Sequence, residues 1–216
     1  MRLPGEQVSE ALADVERLYS ADVEQYGPSP RSVGWKDAAS QRLRFEKLAQ
    51  VLATAGETAI TVNDLGCGYG AMFAFLDEME GVRLGRYYGY DLSEAMLRRA
   101  REGSDERAQL IRATAPTEVA DYSFASGPFY VKGQASETAW QAHVQESLQR
   151  MAEKSRVGFA FNQLTTFVDF RQENLFYADP CVFFEFCKRE ISPYVTLVHD
   201  YPLYEWTMLV HHRDLA

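Results

Sequence analysis

The segment Ala59-Ile-Thr-Val-Asn-Asp-Leu65 runs straight into Gly66-Cys-Gly-Tyr-Gly70, and this junction constrains the fold more than any other part of the chain. A β-branched, mostly apolar run without regular polar alternation reads as a strand buried on both faces, as in parallel sheets. Glycines directly after such a strand let the backbone turn tightly and leave no side chain between it and a bound ligand. Ala71–Met79 follows with a helical pattern, so the junction is a strand–turn–helix unit whose helix N-terminus offers amides to an anionic group. A plain strand-to-helix turn has the same pattern, and the rest of the chain must decide between the two.

The rest repeats the unit. Tyr87-Tyr-Gly-Tyr-Asp91 reads as a second strand, with Ser93 placed to cap the helix Glu94–Arg101. A third strand is expected at Ala108–Arg112 and a fourth at Tyr122–Ala125. Trp140, Val144, Leu148 and Met151 mark one face of a long helix that leads to a fifth strand at Val157–Phe161. Asp179-Pro180 opens another helix, ending near Ile191. Tyr194–His199 and Glu205–His211, joined by a Pro-containing turn, read as an antiparallel hairpin. Ahead of the sheet, Val8, Leu12, Val15, Leu18 and Tyr19 mark one amphipathic helix; Phe45, Leu48, Leu52 and Ala55 mark a second, closed by Gly56.

The expected fold is therefore α/β: one domain with a helical cap over 1–56 and a core over 57–216, built on a seven-stranded, mainly parallel sheet with a C-terminal antiparallel hairpin. Ligands bind such sheets beyond the carboxyl ends of the strands, where the strand order reverses. The chemistry is expected in the loops after Leu65, Asp91, Arg112, Ala125, Phe161 and His199. Loops Tyr26–Trp35 and Thr165–Asp179 are expected to overhang that cleft as lids.

Charge and cysteines narrow the partners. The 216-residue chain carries a net charge of -9, which repels a phosphate backbone, and Arg98, Arg99 and Arg101 form its one tight basic cluster, read as a solvated helix face. No nucleic-acid partner is expected. Cys67, Cys181 and Cys187 form neither a CxxC pair nor a Cys/His metal spacing, so no metal site is expected and a reducing compartment is. Met1–Glu10 lacks an apolar signal core, and nothing approaches the roughly 20 apolar residues of a membrane span. The expectation is a cytoplasmic protein without a membrane partner; the oligomeric state is not legible.

Two chemistries fit the glycine turn. Gly66, Gly68 and Ala71 satisfy the dinucleotide fingerprint G-x-G-x-x-A, and Asp91 lies 25 residues past Gly66, near the place of a ribose-binding acid. A nicotinamide-dependent reductase is thus one reading. Asp64 argues for another, because a carboxylate just before the glycines repels a pyrophosphate and attracts a cationic amino-acid group. Gly70 completes G-x-G-x-G, and the C-terminal hairpin has no counterpart in the usual dinucleotide domain. A non-catalytic nucleoside-binding protein is a third reading, against which the intact Asp64, glycines and Asp91 speak.

Asp64-Leu-Gly-Cys-Gly-Tyr-Gly70 resembles the first motif of class I, Rossmann-like methyltransferases that use S-adenosyl-L-methionine, and Tyr90-Asp-Leu-Ser-Glu-Ala-Met96 resembles their second. Val33-Gly-Trp35, Gln41-x-x-Arg-Phe45, Ala125-Ser-Gly-Pro-Phe129, Ala160-Phe-Asn162 and His199-Asp-Tyr201 look like a group of small bacterial members associated with saccharide or natural-product pathways. The resemblance implies that Asp64, Gly66, Cys67 and Gly68 hold the methionine portion and Asp91 the ribose. It implies that Leu92 and Met96 pack on the adenine, and that Trp35 and Ser126 line the same site. Family members often carry an acid after the third strand for the adenine amine; here Ala113-Thr-Ala115 leaves Thr114 or backbone to serve. Arg44 is placed to pair with the methionine carboxylate.

The resemblance further implies methyl transfer to a small molecule, a hydroxyl of a sugar or natural product first and an amine second. Ser126-Gly-Pro-Phe129 is a weak version of the pattern that receives amines. Hydroxyl transfer calls for a base at a strand end, and His199 and Asp200 are the candidates, ahead of Asn162 and Thr165. His143 reads as a partly exposed helix residue. Phe159–Trp206 holds 13 of the 28 aromatic residues, and Phe167, Phe170, Phe176, Tyr177 and Tyr201 fall in loops where a planar or sugar-like acceptor would stack.

Overall fold

A computed structural model describes residues 3–53, 55 and 58–212. The expected closing residue of the second helix, Gly56, lies outside them. Eight strands form one sheet: β1 (Ile60–Leu65), β2 (Leu84–Asp91), β3 (Ala108–Arg112), β4 (Ala120–Ala125), β5 (Ser155–Thr165), β6 (Tyr177–Ala178), β7 (Tyr194–Val198) and β8 (Glu205–His211). Their order is β3-β2-β1-β4-β5-β8-β7, with β6 against β5 off this path. Strands β1 to β6 pair in parallel, whereas β8 runs antiparallel to both β5 and β7. The hairpin thus supplies the one reversed strand, as expected. The eighth strand is the two-residue β6, which pairs with Leu164 and Thr165 where β5 outruns β4.

Strand β5 is the main departure from the expected boundaries. Its sequence reading ends at Phe161, ahead of the polar Asn162, Gln163 and Thr165. In the structure they stay in the ladder against β8 and β6 and are fully or almost fully buried. Alternation along β5 divides the core in two. Phe159 and Phe161 join Trp206 and Met208 on the face covered by α5 (Glu137–Glu153) and α6 (Pro180–Phe186). Ala160 joins Leu209, Val62 and Phe124 on the face covered by α2 (Ala38–Ala49) and α3 (Ala71–Asp77). Period-two burial on both faces is what a sheet with helices on each side requires.

Helix α1 (Pro4–Tyr26) lies across the carboxyl end of the sheet. Its Ala11, Val15 and Val23 are buried, and Ser20 Oγ lies 2.7 Å from Ser93 Oγ at the N-cap of α4 (Glu94–Glu102). The surface pairs Arg112–Glu16 and Arg98–Glu24 also join α1 to the sheet side; exposed pairs of this kind contribute little, and the apolar stripe holds the helix. A 3-10 turn, Pro30–Val33, and the Asp37 cap, whose Oδ1 accepts from the Ser40 amide at 2.7 Å, lead into α2. The second expected helix is shorter than its apolar stripe, because Gln50–Leu52 tightens into a 3-10 turn. Among the described residues, no helix is long and apolar enough to cross a membrane.

Candidate active site

The strand order reverses between β1 and β4, and the glycine turn after β1 lies at that reversal. Gly66 has φ +75°, and a Cβ there would come within 2.7 Å of Pro128 Cβ, so only glycine fits. The turn's amides point inward. Gly66 and Cys67 donate to Tyr90 O at 2.8 and 3.0 Å, Gly68 donates to Asp91 Oδ2 at 2.9 Å, and Gly70 donates to Cys67 O at 2.9 Å. Four amides that would cradle a pyrophosphate are therefore already used.

Two acids flank the turn. Asp91, at the end of β2, accepts from the Ser93 amide at 2.8 Å as well as from Gly68. Burial pushes its carboxyl above the usual range, against the lowering effect of these amides. Asp64 is 2% exposed and accepts from the Tyr87 hydroxyl. Burial pushes its carboxyl up to about 7, the Tyr87 hydrogen bond works in the opposite direction, and the charge of Asp91 adds to the rise. Tyr19 of α1 is half-buried near Asp91, and desolvation with that carboxylate raises its hydroxyl to about 12. The region is built to concentrate negative charge, which a cationic ligand relieves.

Two cavities open on this turn. The larger has about 820 Å³ of atom-free space, part of it open to solvent. Leu92, Met96, Thr114, Ser126 and Trp35 line it together with Asp91. The smaller, about 340 Å³, is lined by Asp64, Cys67, Gln41 and Tyr69 among others. Both are walled by Val33, Trp35, Gly66, Gly68 and Ser126. The fold thus brings together ten of the thirteen residues singled out from the sequence: Trp35, Asp64, Gly66, Cys67, Gly68, Asp91, Leu92, Met96, Thr114 and Ser126.

Arg44, His199 and Asp200 line neither cavity. Arg44 is buried and donates through Nε to both oxygens of Glu205, at 3.0 and 2.9 Å, and through Nη1 to Ser40 O. A guanidinium held this way has no free fork for a ligand carboxylate. His199 is exposed, its ring 5.9 Å from that of Phe167. Asp200 is 75% exposed and pairs with Lys47 at 2.8 Å, which holds its carboxyl below the usual range. A well-solvated carboxylate paired with lysine is a poor proton acceptor.

Other residues took their place. His143 lines the larger cavity with Phe129, its ring tilted against Trp140 at 5.1 Å and edge-on to Phe129 at 6.4 Å. Burial lowers its pKa, so the imidazole is neutral near pH 7. In the smaller cavity the Tyr69 hydroxyl donates to Gln41 Oε1 at 2.8 Å, leaving the Gln41 amide nitrogen for a ligand. Tyr69 lies within the glycine motif and Gln41 within Gln41-x-x-Arg-Phe45, but neither pattern shows that the two side chains meet.

Comparison with known proteins decides the family. Residues 63–129 match the family described as "Methyltransferase domain". Over 154 residues the chain is 44% identical to Rv1506c of Mycobacterium tuberculosis (strain ATCC 25618 / H37Rv), a protein assigned as a methyltransferase; the match covers 69% of this chain and 92% of that protein. The chain belongs to the methyltransferase family. The fold of this methyltransferase is shared with the DhpI–SAH complex, at TM-score 0.59 and 15% identity over 95% of this chain and 99% of that one. It is also shared with magnesium protoporphyrin IX methyltransferase from Synechocystis PCC 6803 with bound SAH, at TM-score 0.61 and 11% identity over 81% and 84%.

Proposed function

We propose that this methyltransferase takes its methyl group from S-adenosyl-L-methionine and delivers it to a hydroxyl of a small molecule, a sugar or natural product. The observation that carries the cofactor reading is the pair of acids, Asp64 buried and Asp91 half-buried, on either side of an inward-bonded glycine turn. A ligand with a ribose at one end and an ammonium at the other satisfies both acids. A dinucleotide pyrophosphate meets two carboxylates and finds four of the turn's amides occupied.

In this reading the nucleoside occupies the larger cavity. Asp91 accepts from the ribose hydroxyls, and Leu92 and Met96 pack on the adenine. Thr114 and the neutral His143 face the edge where other family members carry an acid. The amino-acid portion occupies the smaller cavity, its ammonium beside Asp64 and its carboxylate within reach of the Gln41 amide. The bound cofactor supplies an already activated methyl group, so the protein's work is in-line positioning and exclusion of water. His199 and Asp200 receive no proton-transfer role, because neither reaches the cavities.

The acceptor reading rests on the net charge and on exposed aromatic side chains. The chain is acidic, which disfavours a polyanion, and Phe167, Phe170 and Tyr204 stand exposed on the loops after β5 and β7. Calorimetric titration with S-adenosylmethionine and, separately, with NADPH tests the cofactor. Micromolar binding of the first and none of the second is expected, and the reverse result overturns the reading. Turnover assayed over panels of hydroxylated and amine acceptors tests the substrate class.

A further inference from the structure

The two cavities meet at a wall of five residues, Val33, Trp35, Gly66, Gly68 and Ser126. If the nucleoside lies against Asp91 and the amino acid against Asp64, covalent connectivity puts the sulfur at this junction. A sulfonium there is a cation, yet none of the five residues is acidic. The junction offers two features for it. Among the described residues Ser126 Oγ is buried without a hydrogen-bond partner, and the half-buried indole of Trp35 lines both cavities.

The structure holds that indole in place from several sides. Its six-membered ring sits over Gly127, where a Cβ would come within 2.6 Å of it. Tyr130 meets it edge-on, with centroids 5.6 Å apart at 72°. The Arg44 guanidinium lies 3.9 Å from the ring centroid. That arginine would ordinarily compete with a second cation for the same ring. Here Glu205 neutralises it through the bidentate contact, and the Tyr130 hydroxyl donates to Glu205 Oε2 at 2.8 Å. The buried pair thus fixes Trp35 without adding net positive charge beside the junction.

We propose that Trp35 is a specificity residue for the charge state of the cofactor, its indole favouring the sulfonium of S-adenosylmethionine over the neutral thioether of the product. This rests on the cofactor reading above. A cation over an indole face gains an attraction that a thioether lacks, worth about 3- to 30-fold in affinity when partly desolvated. The enzyme then holds its loaded cofactor and releases the spent one without a separate conformational step.

The test is calorimetric and needs no acceptor. Wild type, Trp35→Phe and Trp35→Leu are titrated with S-adenosylmethionine, S-adenosylhomocysteine and an analogue carrying an ammonium at the sulfur position. In Trp35→Leu, affinity for the two cationic ligands is expected to fall roughly 3- to 30-fold and that for the thioether less than about twofold, with Trp35→Phe intermediate. Equal losses for charged and neutral ligands, or no loss, overturn the proposal and leave Trp35 a packing residue. Should Trp35→Leu fail to fold, the phenylalanine variant carries the comparison through the same ratio. A wild type that binds none of the three refutes the cofactor reading itself, a distinct outcome.

Discussion

With the cofactor's ammonium seated beside Asp64, as proposed above, cofactor binding becomes a proton-linked event. The Asp64 carboxyl titrates near 7 in the ligand-free protein because burial disfavours the anion more than the Tyr87 hydrogen bond favours it. An ammonium beside it reverses that balance, so binding is expected to draw the ionised form. Below pH 7 the ligand's α-amino group, ordinarily near 7.7–8.0, stays protonated, and Asp64 is the group that changes. With a value of about 7, roughly 1% of Asp64 is ionised at pH 5, about 9% at pH 6 and about half at pH 7. Affinity for S-adenosylhomocysteine should then rise close to tenfold from pH 5 to 6 and about fivefold more by pH 7. Calorimetry at pH 6 in two buffers of different ionisation enthalpy should show nearly one proton released per ligand bound. Asp64→Asn keeps an acceptor for Tyr87, so the variant should fold and lose the pH slope. A flat affinity between pH 5 and 7 in the folded wild type, or an unchanged slope in the variant, would refute the reasoning. The sign for stability runs the other way. The folded state binds the proton more tightly than the unfolded chain, so ligand-free stability should fall as pH rises from about 4 to 7.

Three further outcomes are expected. Asp91→Ala removes an ionised acceptor for two hydroxyls and should cut S-adenosylmethionine affinity at least tenfold by calorimetry, since charge-assisted hydrogen bonds contribute about 1.5–3 kcal/mol each. Glu205→Gln leaves the Arg44 guanidinium buried without its counter-charge and should cost about 3–5 kcal/mol in urea denaturation, with no comparable loss for the exposed partner swap Asp200→Asn. His143→Phe should weaken S-adenosylhomocysteine binding several-fold while affinity for an analogue lacking the adenine amine changes little; equal losses for both would remove His143 from the adenine edge.

The sheet and the clustering of residues around the glycine turn were legible because they depend on local pattern. Strand–glycine–helix units announce themselves over a dozen residues, and Asp64, Asp91 and Ser93 fall at fixed offsets from them. The misreadings have a common origin in long-range pairing. Arg44 looked like a ligand-binding arginine because its partner Glu205 lies 161 positions away. His143 looked bland because helical periodicity shows which face is apolar but not that a cleft runs along it. Asn162 read as a strand-end candidate because polar residues rarely fill a strand core; here its Oδ1 accepts the Gly127 amide at 2.8 Å and so holds the loop that seats Trp35. His199 and Asp200 stand at a strand end as expected, but β7 is the sheet's outer strand and its end is remote from the reversal between β1 and β4.

Strand β8 has a consequence for how the protein is made. It is the last of the described strands, yet it stands inside the sheet, and among the described residues β7 pairs with nothing else. During synthesis β7 leaves the ribosome before the strand it needs, and β5 waits with an open edge. An unpaired edge of this kind templates aggregation until it is covered. The same strand begins with Glu205, the counter-charge for Arg44 on the second helix. A nascent chain short of residue 205 therefore carries an uncompensated arginine and an incomplete sheet together. The counter-charge of Arg44 and protection from aggregation arrive with the same seven residues.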